Sequence, residues 1–134
     1  MLSFIEEVDL IVEGTLGRDV ACQFVTGLLK DDPMLLLNYL IRESKLNTFK
    51  GKICPDQRLY LTGYSHEVGL DNIEDFREAY RYYLLAGWDG NSLGKGARDR
   101  IRDRLSTDQI NQATCIAKYG TENPNFYQKW RCDW

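Results

Sequence analysis

The single histidine of the chain, His66, is the residue whose chemistry could most directly serve catalysis. Glu67 follows it, and a histidine–carboxylate pair can act as a general base and acid. Adjacent residues of a helix point in different directions, however, so we do not expect the two side chains to meet. The sequence also contains no Gly-x-Ser-x-Gly turn, phosphate-binding loop or metal-binding helix motif. We therefore predict a non-enzymatic protein with no catalytic residue, no metal and no cofactor.

The four cysteines lie far apart in the sequence, at Cys22, Cys54, Cys115 and Cys132. They form no C-x-x-C pair, and no second histidine could join them, so a zinc site of ordinary spacing is not expected. We predict free, buried thiols. Because the number of cysteines is even, one or two disulfides are the alternative if the protein resides in an oxidising compartment. Cys132 is then the residue that we favour to form one.

A basic segment near residue 100 is the strongest candidate for contact with nucleic acid. Its cations are Lys95, Arg98, Arg100, Arg102 and Arg104. Asp99 and Asp103 interleave with them, and Lys95–Asp99 and Asp99–Arg102 are ion pairs at helical spacing. We favour a solvated helix whose charges neutralise each other. An RNA-contacting face over Arg98–Arg104 is the alternative, and the net charge of −3 argues against it.

The C-terminal tail, residues 121–134, is rich in aromatic residues beside two cations. The aromatic residues are Phe126, Tyr127, Trp130 and Trp134. Exposed aromatic residues near Lys129 and Arg131 are of the types enriched at interface hot spots. Alternatively, the tail folds back and covers the open end of a helical stack. We favour the second interpretation.

Helices must position these residues, because apolar residues recur at helical spacing and no strand-like alternation is found. The 134 residues, 43% of them hydrophobic and 28% charged, predict one globular all-α domain. No apolar stretch reaches the roughly 20 residues needed to span a membrane. Glu6, Glu7 and Asp9 interrupt the apolar N-terminus, which makes it a poor secretory signal. We expect a cytoplasmic protein, or a periplasmic one if a leader has been removed.

Local signals predict where individual helices begin and end. Asp32 is suited to the N-cap of a helix, and Pro33 to its first position. Asp71-x-x-Glu74 predicts the start of a second helix, and Ser106 with Gln109 predicts a capping box at the start of a third. Residues 45–56, with Cys54-Pro55, are expected to connect two halves. The predicted helices cover residues 2–13, 16–29, 33–44, 57–68, 71–89, 93–105 and 106–120.

Residues 59–91 resemble one repeat of the Sel-one-like family, whose helix–turn–helix units are related to tetratricopeptide repeats. The resemblance rests on the run EDFREAYRYYLLAGWDGN and on residues with structural roles in the repeat. These residues are Gly63, Gly69, Ala79, Tyr82, Ala86 and Gly90. Residues 97–113 resemble the closing helices that follow a last repeat. The resemblance implies a short superhelix in which residues 1–56 complete the stack, 57–120 form the repeat and closing helices, and 121–134 form the tail.

The resemblance also implies a function in protein–protein interaction. The chain would be an adaptor, or an immunity protein that neutralises a cognate bacterial toxin by binding it. A homodimer is a further possibility for the assembly. The alternative function is that of a nucleic-acid-associated regulator that uses Arg98–Arg104. The residues assigned to partner contact are Tyr60, Tyr64, Tyr80, Trp88, Arg98, Arg102, Trp130 and Trp134.

Overall fold

The computed structural model describes residues 2–119, and within that range the chain forms eight α-helices, one short 3-10 helix and no β-strand. The predicted all-α class is therefore confirmed. The aromatic tail, with Trp130, Trp134 and Cys132, lies outside the described residues. The helices are α1 (Phe4–Glu13), α2 (Arg18–Asp31), α3 (Pro33–Arg42), α4 (Leu46–Lys52), α5 (Pro55–Val68), α6 (Phe76–Trp88), α7 (Ser92–Ile101), the 3-10 turn Arg102–Arg104, and α8 (Thr107–Tyr119).

Two of the predicted helix starts are confirmed by their hydrogen bonds. The Asp32 carboxylate accepts from the backbone N–H of Leu35 at 3.0 Å, and Pro33 is the first residue of α3. Ser106 and Gln109 form the reciprocal capping box at the start of α8, with distances of 2.9 and 3.1 Å. Such caps satisfy amides that a helix leaves without partners, which is why short polar side chains mark them in a sequence.

Two predictions about the middle of the chain are wrong. Residues 45–56 are not merely a connection, because they contain α4, which buries Leu46 and Phe49. The other error is the start of α6, which begins at Phe76 and is capped by Asp75 rather than by Asp71. Asp71 instead has a φ of 70° and lies in the turn before α6. Both aspartates suit a cap chemically, and only the backbone conformation distinguishes them.

Helix α6 is the centre of the second half, where it packs against α5, α7 and α8. Glycines permit the close approach of helices on two of its sides. A Cβ atom on Gly63 of α5 would lie 2.9 Å from the Tyr83 ring, and one on Gly94 of α7 would lie 2.9 Å from the Ala86 Cβ. These distances are too short for real contacts. The small residues therefore determine how tightly α5 and α7 pack against α6.

The first half packs around the buried side chains of α3, among them Leu36, Leu37 and Leu40. The Asp9 carboxylate of α1 accepts hydrogen bonds from the Tyr39 hydroxyl and the Lys45 Nζ, both at 2.9 Å. Buried residues from α1 through α8 form one continuous core. Both halves of the described chain therefore share that core.

A disulfide between Cys22 and Cys54 joins α2 to the start of α5, with the Cα atoms 5.7 Å apart. The expectation of free thiols is therefore wrong for this pair, and the described residues contain no free cysteine. Buried Gln57 lies beside the bridge, and its Nε2 donates to the Cys22 carbonyl at 2.7 Å. The 32-residue separation gives no sequence pattern, because only the folded chain brings α2 and α5 together.

The helices of residues 2–119 include none that combines the length and the apolar character needed to cross a lipid bilayer.

Candidate partner-binding surface

Glu67 joins three helices through hydrogen bonds to Tyr83 and Arg100. Its Oε1 accepts from the Tyr83 hydroxyl at 2.6 Å and from the Arg100 Nη2 at 2.8 Å. The Arg100 Nη1 donates to the other carboxylate oxygen, so the guanidinium binds in a bidentate manner. The Glu67 side chain is 13% exposed and that of Arg100 is 53% exposed. The largely covered carboxylate therefore fixes a guanidinium that is still half in solvent.

The electrostatics of this cluster follow from its burial and its charges. Burial acts to raise the pKa of the Glu67 carboxyl, but the hydrogen bonds from Arg100 and Tyr83 outweigh it and hold the pKa below its ordinary value. Burial and the adjacent Glu67 carboxylate raise the pKa of Tyr83. Glu67 is therefore charged and Tyr83 neutral at physiological pH, which keeps the bidentate pair intact.

Three tyrosine rings lie beside the Glu67–Arg100 pair. The Tyr60 ring centroid is 6.5 Å from that of Tyr64 and 5.5 Å from that of Tyr83. Tyr60 and Tyr83 are buried, whereas Tyr64 is half-buried. Burial first, then the charges of Glu67 and Asp32, raise the pKa of Tyr64. We call the accessible parts of Tyr64 and Arg100 the Tyr64–Arg100 surface.

His66 and Glu67 do not form an acid–base pair, because their side chains have different partners. Its Nδ1 lies 3.2 Å from the carbonyl oxygen of Ile73, and its ring stacks on Tyr82 with centroids 5.7 Å apart. The Glu67 carboxylate is bound by Tyr83 and Arg100 instead. Within residues 2–119, no group of three or more His, Cys, Asp or Glu side chains could hold a metal ion.

The aromatic residues predicted to bind a partner have different environments. Tyr60 is 6% exposed and Tyr80 is 2% exposed, so both are core residues and offer almost no surface to a partner. The sequence assigned both to partner contact, whereas in the structure they belong to the hydrophobic core. Tyr64 is half-buried, and Trp88 is 53% exposed at the end of α6. Trp130 and Trp134 lie outside the described residues.

The arginines of the basic segment each have a partner within the chain. Arg102 lies 4.0 Å from Asp99, which confirms that predicted pair, and it donates to the Tyr80 hydroxyl at 3.2 Å. Asp99 also pairs with Arg98 at 3.1 Å, where Lys95 was predicted. The guanidinium of Arg104 lies 4.5 Å from the centroid of the Phe76 ring. The segment therefore attaches α7 and the 3-10 turn to the rest of the molecule.

Arg100 is the residue of this surface that the sequence predictions missed. It lies 33 residues from Glu67, and its counterion could not be identified from the spacing of charges within its own helix. The sequence points instead to a local counterion, because Asp103 lies three residues from Arg100.

Comparisons with protein-family models, with curated proteins and with solved structures find no match to this chain. The resemblance to Sel-one-like repeats therefore stays a prediction that rests on the residues quoted for it.

Proposed function

We propose that this chain is a non-enzymatic protein-binding module and that a protein partner contacts the Tyr64–Arg100 surface. The observation that carries the proposal is the half-exposed Arg100 guanidinium, held in a bidentate manner by a carboxylate that is only 13% exposed. A surface arginine ordinarily samples many rotamers. Here its position is fixed before any partner arrives.

Prior ordering of Arg100 favours binding, because immobilising a flexible side chain at an interface costs about 0.5–1.5 kcal/mol. Tyrosine and arginine are also residue types that dominate interface hot spots. Tyr64 lies close enough for the Arg100 charge to act on its hydroxyl. The surface thus combines an ordered cation with an aromatic ring on a rigid helical support.

The cellular role follows from the resemblance rather than from the surface. It implies an adaptor, or an immunity protein that would occupy the active cleft of a toxin. The Cys22–Cys54 disulfide supports an oxidising compartment, since the reducing cytosol of most organisms disfavours such bridges. We therefore propose a periplasmic site of action in preference to a cytoplasmic one.

The alternative function, nucleic-acid regulation through Arg98–Arg104, has less support. Arg98, Arg100 and Arg102 are engaged by Asp99, Glu67 and Tyr80. A phosphate backbone would have to compete with these contacts. The net charge of −3 would also oppose its approach.

Affinity capture with matched variants tests the proposed function. We expect the tagged protein to retain one stoichiometric protein from its native lysate, and Tyr64→Ala and Arg100→Gln to weaken that affinity by about tenfold or more, a loss typical of a hot-spot residue. Ile73→Ala and Arg42→Gln are the controls, because both side chains are exposed, at 87% and 70%. These controls should bind as the unaltered protein does.

Equal retention by all four variants would show that another surface binds the partner. Retention of nucleic acid with a steep salt dependence, and of no protein, would instead favour the regulator. Thermal unfolding of each variant distinguishes a lost contact from a lost fold.

A further inference from the structure

A cleft between α4, α5 and α6 has two cations in its lining and no carboxylate. Its volume is about 400 Å³, within the range of pockets that hold small organic ligands. We call it the Lys50–Arg58 cleft. It is lined by Lys50, Pro55, Arg58, Leu59, Thr62 and Tyr82.

Neither cation of the cleft is neutralised by an ion pair. The Lys50 Nζ donates to the Thr62 hydroxyl at 3.2 Å, and the Arg58 Nη1 donates to the backbone carbonyl of Lys50 at 3.3 Å. Among residues 2–119, no carboxylate lies within 4.0 Å of either charge. Burial lowers the pKa of Lys50, and the charge of Asp71 opposes that effect. Both side chains retain N–H donors for an incoming acceptor.

The helices place these donors on one wall of the cleft. Arg58 and Thr62 are four residues apart in α5, so their side chains share a face, and Lys50 reaches that face from α4. A ligand with several acceptor oxygens could therefore bind an ammonium, a guanidinium and a hydroxyl together.

Tyr82 forms part of the lining and is itself fixed in place. The Arg81 guanidinium lies 4.4 Å from the centroid of its ring, and His66 stacks on it at 5.7 Å. Arg81 forms a bidentate pair with Glu78, so its charge is already balanced. The Tyr82 ring is thus preorganised, and the net charge at the cleft comes from Lys50 and Arg58.

We propose that the Lys50–Arg58 cleft binds the phosphate group of a small phosphate monoester with a compact apolar body. The two unpaired cations match a dianion better than the single charge of a carboxylate. A guanidinium presents its donors in a planar fork that suits phosphate oxygens, while an ammonium acts as a point charge. Pro55, Leu59 and Tyr82 provide apolar surface for the body of the ligand.

This site is independent of the proposed partner surface. Arg58 and Thr62 lie about half a turn around α5 from Tyr64 and Glu67, so the two groups face opposite ways. A variant in one site should therefore leave the other intact.

Titration with phenyl phosphate, followed by ¹H–¹⁵N NMR, tests the proposal. We expect saturable binding in the micromolar-to-millimolar range, with shifts concentrated at Lys50, Arg58, Thr62 and Tyr82. Arg58→Gln and Lys50→Met should each weaken binding by about tenfold or more, since each removes a charge-assisted hydrogen bond. Arg42→Gln is the control, because it removes an exposed cation on α3 and should leave the affinity unchanged.

Three outcomes would overturn the proposal. The first is no saturable binding, and the second is binding that maps elsewhere or survives both variants. The third is equal affinity for benzoate, which would remove the preference for a phosphate. The shift map of the unaltered protein keeps the test decisive even if a variant unfolds. Capture of a protein partner is a separate readout, so this proposal and the proposed function can fail independently.

Discussion

Glu67 shows how a single, largely covered carboxylate can orient a residue that remains accessible. Removing a carboxylate from water is unfavourable unless donors replace the lost hydration. Tyr83 and Arg100 supply those donors from two other helices. The same bonds that keep Glu67 charged hold the guanidinium in one orientation, so the stability of the core and the geometry of the proposed surface depend on one side chain.

Replacing Glu67 with Gln should lower the free energy of unfolding at neutral pH by about 1–2 kcal/mol. The three hydrogen bonds that the carboxylate accepts lose the charge of their acceptor, and the effect is modest because Arg100 is half in solvent. Because the folded-state pKa of Glu67 is depressed, its stabilisation is complete above the unfolded value of about 4.3 and declines as the pH falls through the folded value. Urea unfolding at several pH values should therefore show the two proteins converging in acid.

The matched control for that experiment is Glu43→Gln, which alters an exposed carboxylate on the other half of the chain. Its unfolding curve should stay close to that of the unaltered protein at every pH. A constant gap between Glu67→Gln and the unaltered protein from pH 7 down to strong acid would contradict the assigned role of the Glu67 charge.

The residue-level predictions that succeeded concern local interactions. The carboxylate cap of Asp32 acts on an amide three residues away, so the sequence itself contains both partners. Arg100 and Glu67, or Cys22 and Cys54, are separated by more than 30 residues. Their pairing depends on how helices cross. The burial of Tyr60 and Tyr80 depends on the same crossings, which spacing within one helix does not determine.

At the scale of helices, the close packing of α5 against α6 depends on Gly63. A Cβ at this position would lie 2.9 Å from the ring of Tyr83 and 3.2 Å from the backbone carbonyl oxygen of Ala79. Tyr83 is fully buried and bound to Glu67, so its ring has little freedom to move. Any side chain at position 63 must therefore push the two helices apart.

Gly63→Ala should destabilise the protein by about 1–2 kcal/mol, because overpacking outweighs the higher helix propensity of alanine. Gly27→Ala in α2 is the matched control. It has nothing within 4 Å of the added Cβ and should stabilise the protein by about 0.5–1 kcal/mol. Chemical unfolding of both variants checks the opposite signs, and a stabilising Gly63→Ala would show that α5 and α6 are less closely packed than described.

The elements that the sequence predicted poorly are those with ambiguous local chemistry. Asn47, Lys50 and Gly51 gave α4 the composition of a loop, although Leu46 and Phe49 are spaced as on a helix face. Burial of those two apolar residues against neighbouring helices overrides the weak propensity of this seven-residue segment. The long amphipathic segments α2, α3 and α8 had stronger periodicity and were predicted close to their observed ranges.

At the scale of the whole molecule, the Cys22–Cys54 disulfide cross-links the two halves. The disulfide between Cys22 and Cys54 closes a loop that contains α3 and α4, and Gln57 bonds to the backbone carbonyl of Cys22 beside it. Constraining the unfolded chain in this way reduces its conformational entropy. The bridge therefore adds to the stability that the shared hydrophobic core provides.

Replacing both Cys22 and Cys54 with Ser should lower the free energy of unfolding by about 3–4 kcal/mol, given a loop of 32 residues. Reducing agent should destabilise the unaltered protein at least as much in urea unfolding, because it also cleaves the disulfide of Cys115. Peptide mapping without reduction should recover residues 22 and 54 in one linked fragment. A protein whose stability is unaffected by reductant would show that this bridge does not constrain the unfolded chain.

The same bridge also keeps the fragments of a proteolytically cleaved chain together. If a peptide bond between residues 23 and 53 is cut, the two fragments stay covalently joined, because the Cys22–Cys54 bond spans every such break. The exposed turn around Ser44, where φ is 56°, lies inside this interval. A nicked molecule would run as one species on a gel until it is reduced. A chain cut at α3–α4 would thus lose its continuity and still keep α5 to α8 attached to α1 and α2.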